Sequence, residues 1–182
     1  MVWLEFLEKF NGECYIPERY WITNEALELI TDSTGNALLG CGAYFSGHWV
    51  QYRWPSSWEN TEILTDITFL ELVPIVLSLI IWGPAFKDKK ILLHIDNQAL
   101  VSIINKRTSK SKRIMKLIRR LVLFTMCNHI LFKSVHLDGV HNEIADALSR
   151  FQHDRFMFLT PQADQAPAEI PSEFLRIISE LK

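Results

Sequence analysis

Apolar and polar positions along this chain repeat with two periods, and the alternation between them gives an element order. Residues 3–10 place Trp3, Phe6, Leu7 and Phe10 on one helical face, and Asn11-Gly12 ends that turn. Residues 26–31, with Leu27, Leu29 and Ile30, predict a strand that runs into Asp32; Gly35-Asn36 then turns the chain. A second strand is predicted over 37–45 and, after Ser46-Gly47, a third over 48–54, which makes an antiparallel meander. Gly40 and Gly42 leave one face of the middle strand without side chains, a sign of close approach by another element or a ligand. A polar loop is expected over 55–66, and then an apolar helix over 68–82 capped by Asp66 or Thr68, with Pro74 inside it and Gly83-Pro84 at its end. Residues 91–95 read as a buried strand that stops at Asp96-Asn97, which cap a short helix over 98–105.

The pattern then turns strongly amphipathic. Over 112–127, Ile114, Leu117, Ile118, Leu121, Val122 and Thr125 share one face, while Lys112, Arg113, Lys116, Arg119 and Arg120 lie largely on the other. A further strand is expected over 129–137 and a helix over 143–151, capped by Asn142 and burying Ile144, Leu148 and Phe151. Residues 152–171, with three prolines, read as a linker to a final amphipathic helix over 172–181. The expected fold is α/β: three antiparallel strands, then parallel strands, in a mixed five-stranded sheet flanked by helices. The expected organisation is an N-terminal helix and connecting segment (1–24), one α/β domain (25–152), and a linker with a C-terminal helix (153–182).

Composition changes this picture little and charge changes it more. The 182 residues are 48% hydrophobic and 22% charged, ordinary for a globular chain, with a net charge of −2. Yet residues 106–120 hold eight of the 19 basic residues and no acid, leaving 11 basic against 21 acidic residues elsewhere. Such asymmetry points to a local anionic partner, a phosphate backbone above all. Cys14, Cys41 and Cys127 form neither a metal spacing nor a disulfide framework, which suits a reducing, intracellular compartment. Glu5, Glu8 and Lys9 interrupt the first apolar stretch, so no signal peptide is read there. The apolar run at 68–86 contains Glu71 and Pro74, and its uninterrupted part falls far short of the roughly 20 residues a membrane span needs; a buried core helix, and no membrane, is expected.

The candidate chemistry lies in four acids at similar structural places: Asp32 and Asp96 at strand ends, Glu71 and Asp146 on helices. A strand ending in an acid before a helix sits at the carboxyl edge of a sheet, where α/β proteins place ligands; Asp96 also suits a plain helix cap, and Glu71 a first-turn acid favoured by the helix dipole. Carboxylates brought close together need cations to stay ionised, and hard divalent ions with oxygen ligands, magnesium first, are the natural partner. Two such ions about 4 Å apart stabilise the attacking and leaving oxygens in phosphodiester hydrolysis.

These residues resemble a family. The Asp32, Glu71, Asp96, Asp146 order looks like the acidic set of ribonuclease H, and the local words are similar to the RNase H domain of retroelement reverse transcriptases. Thr31-Asp32-Ser33-Thr34-Gly35 resembles their TDASG, Asp96-Asn97 their TDN, and the run from Asn142 to Arg150 their N-x-x-ADALSR. Glu71-Leu72-Val73-Pro74-Ile75, Trp82-Gly83 and Ser149-Arg150-Phe151-Gln152 resemble the DIRS-type branch, which uses a tyrosine recombinase. The similarity spans about 3–171, its first helix resembling the segment after the polymerase and 156–171 the stretch toward the recombinase. The resemblance implies an RNase H-like fold and an endonuclease that cuts the RNA strand of RNA–DNA hybrids with two Mg2+ ions, Mn2+ being the alternative. Asp32 would bridge both ions, Asp96 would hold the one that activates water, and Glu71 and Asp146 the one at the leaving oxygen. Gly35, Asn97 and Asn142, with Lys112, Arg113, Lys116, Arg119 and Arg120 as a basic handle, would contact nucleic acid. The glycine-rich strand would admit the RNA backbone, and His141 would be an auxiliary for product release, although it stands closer to Asp146 than is usual. Ser33 replaces the family's usual alanine. The chain carries no polymerase, so it is expected to be a fragment, a degenerate copy or a stand-alone gene, linked in origin to a polymerase and a recombinase. The competing readings are a catalytically inactive hybrid-binding remnant and a structural docking domain.

Overall fold

The computed structural model describes residues 2–9, 12, 19–137 and 142–181. His141, Cys14, and Phe10 and Asn11 at the end of the first expected helix lie outside the described residues. The chain runs through α1 (Val2–Lys9), β1 (Ile22–Thr23), β2 (Leu29–Ser33), β3 (Gly40–Phe45), β4 (His48–Arg53), α2 (Ile67–Trp82), β5 (Lys90–Ile95), α3 (Gln98–Lys106), α4 (Lys112–Cys127), β6 (Leu131–His136), α5 (Glu143–Ser149), α6 (His153–Leu159) and α7 (Ser172–Ser179).

The class is α/β, but the strands form two three-stranded sheets where a five-stranded one was expected. The antiparallel meander β2-β3-β4 is one sheet; β1, β5 and β6 form a parallel one with β5 in the centre. The reason lies at 24–28. Strand β1 pairs Ile22 with Ile91 and Thr23 with Leu92, and then the chain makes an excursion in which Glu28 takes a positive φ of 52°. It returns at Leu29, whose N–H donates to the Asn24 carbonyl at 2.8 Å. Asn24 therefore ends one strand and precedes the next. Its N–H donates to the Leu92 carbonyl (3.1 Å), and its side-chain oxygen accepts from the His94 N–H (2.9 Å), standing in for the next backbone rung. As a result β2 begins three residues later than the expected strand, and Asp32 lies inside β2.

Helix α2 is the core. Asp66 caps it by accepting from the Phe69 N–H at 3.0 Å, a contact that contributes about 1 kcal/mol. Phe69, Leu70, Leu72, Val73, Val76 and Leu77 are almost wholly buried, packed beside α3, α4, β2 and β3. By length and composition Ile67–Phe86 is the one candidate membrane span among the described residues; 72% of its apolar window is buried inside the fold, as in a core helix. On the opposite side of the meander, α5 and α6 cover a second cluster of Tyr44, Trp49, Ala147, Leu148, Phe156 and Ala163.

Three local expectations are corrected by packing. The loop at 55–66 contains two 3-10 turns whose Trp58, Ile63 and Leu64 are buried. The stretch read as a linker contains α6, whose Phe156 is fully buried against Trp49 and Tyr44, with ring centroids 5.0 and 6.3 Å away. Helix α5 stops at Ser149, leaving Ile144 and Phe151 only half-buried while Leu148 is buried. Helix α7 seals the far end of the main core with Phe174, Ile177 and Ile178.

Candidate active site

Strand β2 delivers Asp32, helix α2 delivers Glu71 one turn from its start, and β5 ends just before Asp96. These three acids line one cavity of about 190 Å3 together with Thr31, Ile75, His94, Ile95, Leu100 and Asn142. The cavity lies where the two sheets meet. Its electrostatics are dominated by burial and by repulsion among anions, which outweigh the attraction of Arg150 for Asp32. Glu71 has its pKa pushed up to about 7, first by burial and then by repulsion from Asp32 and Asp96, against a hydrogen bond from the Asn97 side chain. Burial, and repulsion from Asp146, also raise the Asp32 carboxyl, although the Ser149 hydroxyl donates to its Oδ2 at 2.6 Å. The charges thus form a series in which Asp32 feels Asp146, and Glu71 feels both Asp32 and Asp96.

Asp146 adjoins this cavity without lining it. Its carboxylate accepts from Arg150 Nε at 2.5 Å through Oδ1 and from Arg155 Nη1 at 2.6 Å through Oδ2. Burial alone would raise its pKa, but the two guanidinium groups outweigh that and hold it below the usual carboxylate range. Asp96 is the most exposed of the four and lies 3.8 Å from His136 Nε2.

The donor set fits a hard divalent cation in its chemistry: every candidate ligand is an oxygen, and the repulsion that lifts Glu71 and Asp32 is what such an ion removes. A further oxygen at the cavity, Asn142 Oδ1, is buried with no hydrogen-bond partner among the described residues. The set is spread, as like charges are. Among the described residues no three His, Cys, Asp or Glu side chains stand close enough to hold one ion.

Other expected site residues are placed differently. Asn142 was expected to cap α5, but it makes no side-chain cap bond; its amide donates to the Thr31 carbonyl and so ties α5 to β2. Asn97 caps α3, accepting from the Leu100 N–H at 3.0 Å. The glycines serve packing. A Cβ at Gly42 would overlap Leu148 of α5, one at Gly40 would overlap the Tyr52 carbonyl, and one at Gly35 would sit 2.8 Å from the Leu64 carbonyl oxygen. The space read as room for an RNA backbone at Gly40 and Gly42 is therefore occupied by the protein itself.

The basic face of α4 is partly used within the fold. Arg120 pairs with Glu5 of α1, Lys116 donates to the Glu180 carbonyl after α7, and Arg113 lies 4.0 Å from Asp66 and over the Phe69 ring. Lys112 and Arg119 are exposed. Arg113 and Asp66 place the start of this face beside the N-terminus of α2, the helix that carries Glu71.

Sequence reasoning missed Ser149, Arg150 and Arg155 as parts of this site. The i,i+4 spacing of Asp146 and Arg150 is a legible pairing signal. Arg155 lies in the stretch read as a linker, and its approach depends on the chain reversal between α5 and α6. Comparison of the chain with protein-family models, curated proteins and solved structures found no match.

Proposed function

We propose that this chain is a metal-dependent endoribonuclease of the RNase H type, which hydrolyses the RNA strand of RNA–DNA hybrids. The observation that carries the reading is the cavity where carboxylates from β2, α2 and β5 meet, with Glu71 lifted to about 7 by burial and by its acidic neighbours. Concentrating like charges costs stability, and sites that do chemistry are where such an arrangement recurs. The fold supports the reading in element order. Taken as a single strand interrupted at 24–28, β1 and β2 would complete a five-stranded RNase H-like sheet in the order β4-β3-β2/β1-β5-β6.

Asp32, Glu71, Asp96 and Asp146 would hold Mg2+, or Mn2+ in its place. When bound, paired ions of this kind supply a nucleophilic water and stabilise the leaving oxygen. The chain's own residues orient and select. Ser149 fixes the Asp32 carboxylate, Asn142 fixes α5 on β2, and the exposed Lys112 and Arg119 of α4 offer charge to phosphates. Descent from a retroelement reverse transcriptase of the DIRS type, with a polymerase and a recombinase as former neighbours in an intracellular setting, belongs to the same proposal and rests on the resemblance alone.

The test is incubation of the purified chain with an RNA–DNA hybrid, labelled on either strand, in Mg2+, Mn2+ or EDTA. Cleavage of the RNA strand only, dependent on the ion and lost in Asp32→Asn, is the expected result. A folded protein that binds hybrid but cuts neither strand in either ion would be the inactive binding remnant. One that does neither would leave only a docking domain.

A further inference from the structure

We propose that Arg150 and Arg155 are phosphate-contacting residues that are held on Asp146 until a divalent cation takes that carboxylate; this rests on the nuclease reading above. Both oxygens of Asp146 are engaged, one by each arginine, at 2.5 and 2.6 Å. Two positive groups on one carboxylate leave a net charge of +1 at the rim of the cavity lined by Asp32, Glu71 and Asp96. A cation that binds Asp146 competes with the two guanidinium groups for its negative charge and weakens their hold on it. Both arginines then stand beside an ion of their own sign, and an anion must replace Asp146 as their partner. In a phosphodiester-cleaving site the anion that arrives with the cation is the nucleic-acid phosphate, and the planar guanidinium fork matches its oxygens.

The placement of this pair is built into the fold. Arg150 follows directly on α5, four residues after Asp146. Arg155 comes from α6 and reaches back across a chain reversal at Phe151, which has a positive φ of 58°. Its neighbour Phe156 is fully buried against Trp49, so α6 is anchored where Arg155 meets Asp146. Gln152 Oε1 accepts from the same Arg155 Nη1 at 2.9 Å. The arginine side chains are 48% and 41% exposed against 29% for Asp146, so the clamp sits on the solvent side of the carboxylate, where a nucleic-acid strand would arrive.

The experiment compares wild type, Arg150→Gln/Arg155→Gln and Arg150→Lys/Arg155→Lys. Mg2+ affinity is measured by calorimetry without nucleic acid, and affinity for an RNA–DNA hybrid in Ca2+ over a range of salt. The expected result for the glutamine pair is several-fold tighter Mg2+ binding together with weaker hybrid binding, the slope of log affinity against log salt falling by about two. The lysine pair keeps the charge without the fork, so its salt slope should match wild type while hybrid affinity stays reduced. Circular dichroism melting of all three proteins checks the fold. Should the glutamine pair destabilise the chain, single Arg155→Gln, at the more distant residue, gives the same two readouts. Unchanged or weaker Mg2+ binding by the variant, with wild type binding normally, overturns the proposal and leaves the nuclease reading standing. Unchanged hybrid affinity and slope overturns it equally. A wild type that binds no Mg2+ overturns both.

Discussion

Glu71→Gln in the metal-free protein is the most direct probe of the cavity. The folded chain holds this carboxyl at about 7 against an ordinary 4.5. Because the folded pKa is the higher one, the penalty is absent below pH 4.5, where folded and unfolded chains are both protonated. Stability is then lost progressively as pH rises through 4.5 to 7, and above that the loss is complete. At about 1.4 kcal/mol per pH unit the full penalty is roughly 3 kcal/mol, and screening of a partly exposed group brings it to about 2–3 kcal/mol. Glutamine keeps the shape and cannot ionise, so the variant should escape the penalty. In a chain of this size each kcal/mol moves Tm by roughly 2–4 °C, which gives a gain of roughly 5–10 °C at pH 8 in EDTA. At pH 5 the difference should shrink below about 1 kcal/mol, and at pH 4.5 almost to nothing. The assay is thermal unfolding of both proteins from pH 4.5 to 8.5 in EDTA, read as the difference between them so that titrating groups remote from Glu71 cancel. A difference that does not vary with pH, or a variant that melts lower at pH 8, would refute the argument, because Glu71 would then be a satisfied structural acid. Added Mg2+ should raise Tm at pH 8 more for wild type than for the variant.

The remaining predictions concern the other parts of the site. Asp96→Asn should abolish Mg2+-dependent cleavage while leaving Tm in EDTA unchanged or higher, since it removes one of the charges that repel Glu71; a marked drop in Tm would make Asp96 a structural residue. Lys112→Gln/Arg119→Gln, which alters the exposed basic residues of α4 and spares Lys116 and Arg120, should flatten the salt dependence of hybrid binding by about two in log–log slope. Identical slopes for variant and wild type would show that this face is only solvated. Phe156→Ala should cost about 3–5 kcal/mol in denaturant unfolding, as for any fully buried phenylalanine; a cost under about 1 kcal/mol would show that α6 is not anchored by this ring.

What was legible in the sequence follows from which signals are local. Helix α4 spans Lys112–Cys127 as its periodicity foretold, because one apolar stripe opposite a basic one leaves a single way to bury it. The Asp66 cap of α2 was legible for the same reason, since the hydroxyl or carboxyl before an apolar run has one local use. Strand β1 was not. Two residues carry no period, and Ile22 and Thr23 become a strand only by pairing with β5, some 70 positions away. The excursion at 24–28 was equally hidden, because Glu28 takes the left-handed region without the glycine or asparagine that usually announces it. Helix α6 was obscured by the prolines that follow it, and Phe156 finds its neighbours Trp49 and Tyr44 only through the tertiary fold. At Gly42 a close approach was read correctly, but the sequence has no means of saying that Leu148, and not a ligand, fills the space.

The four acids divide into two pairs at the boundary between the sheets, and this explains why the cavity is open. Asp32 and Asp146 belong to the meander side, where α5 is fastened to β2 at both ends: Asn142 donates to the Thr31 carbonyl, and Ser149 donates to Asp32. The missing Cβ of Gly42 lets that helix come close enough for both bonds. Asp96 follows β5 in the parallel sheet, and Glu71 stands on α2, whose buried face spans the two. Between Leu29 and Thr31 on one side and Leu93 and Ile95 on the other, a narrow crevice of about 20 Å3 continues the line of the cavity inward, where one sheet would have ladder bonds. Asn24 supplies the side-chain rung at its inner end. Repulsion acts across this boundary: Glu71 feels Asp32 from the meander side and Asp96 from the end of β5.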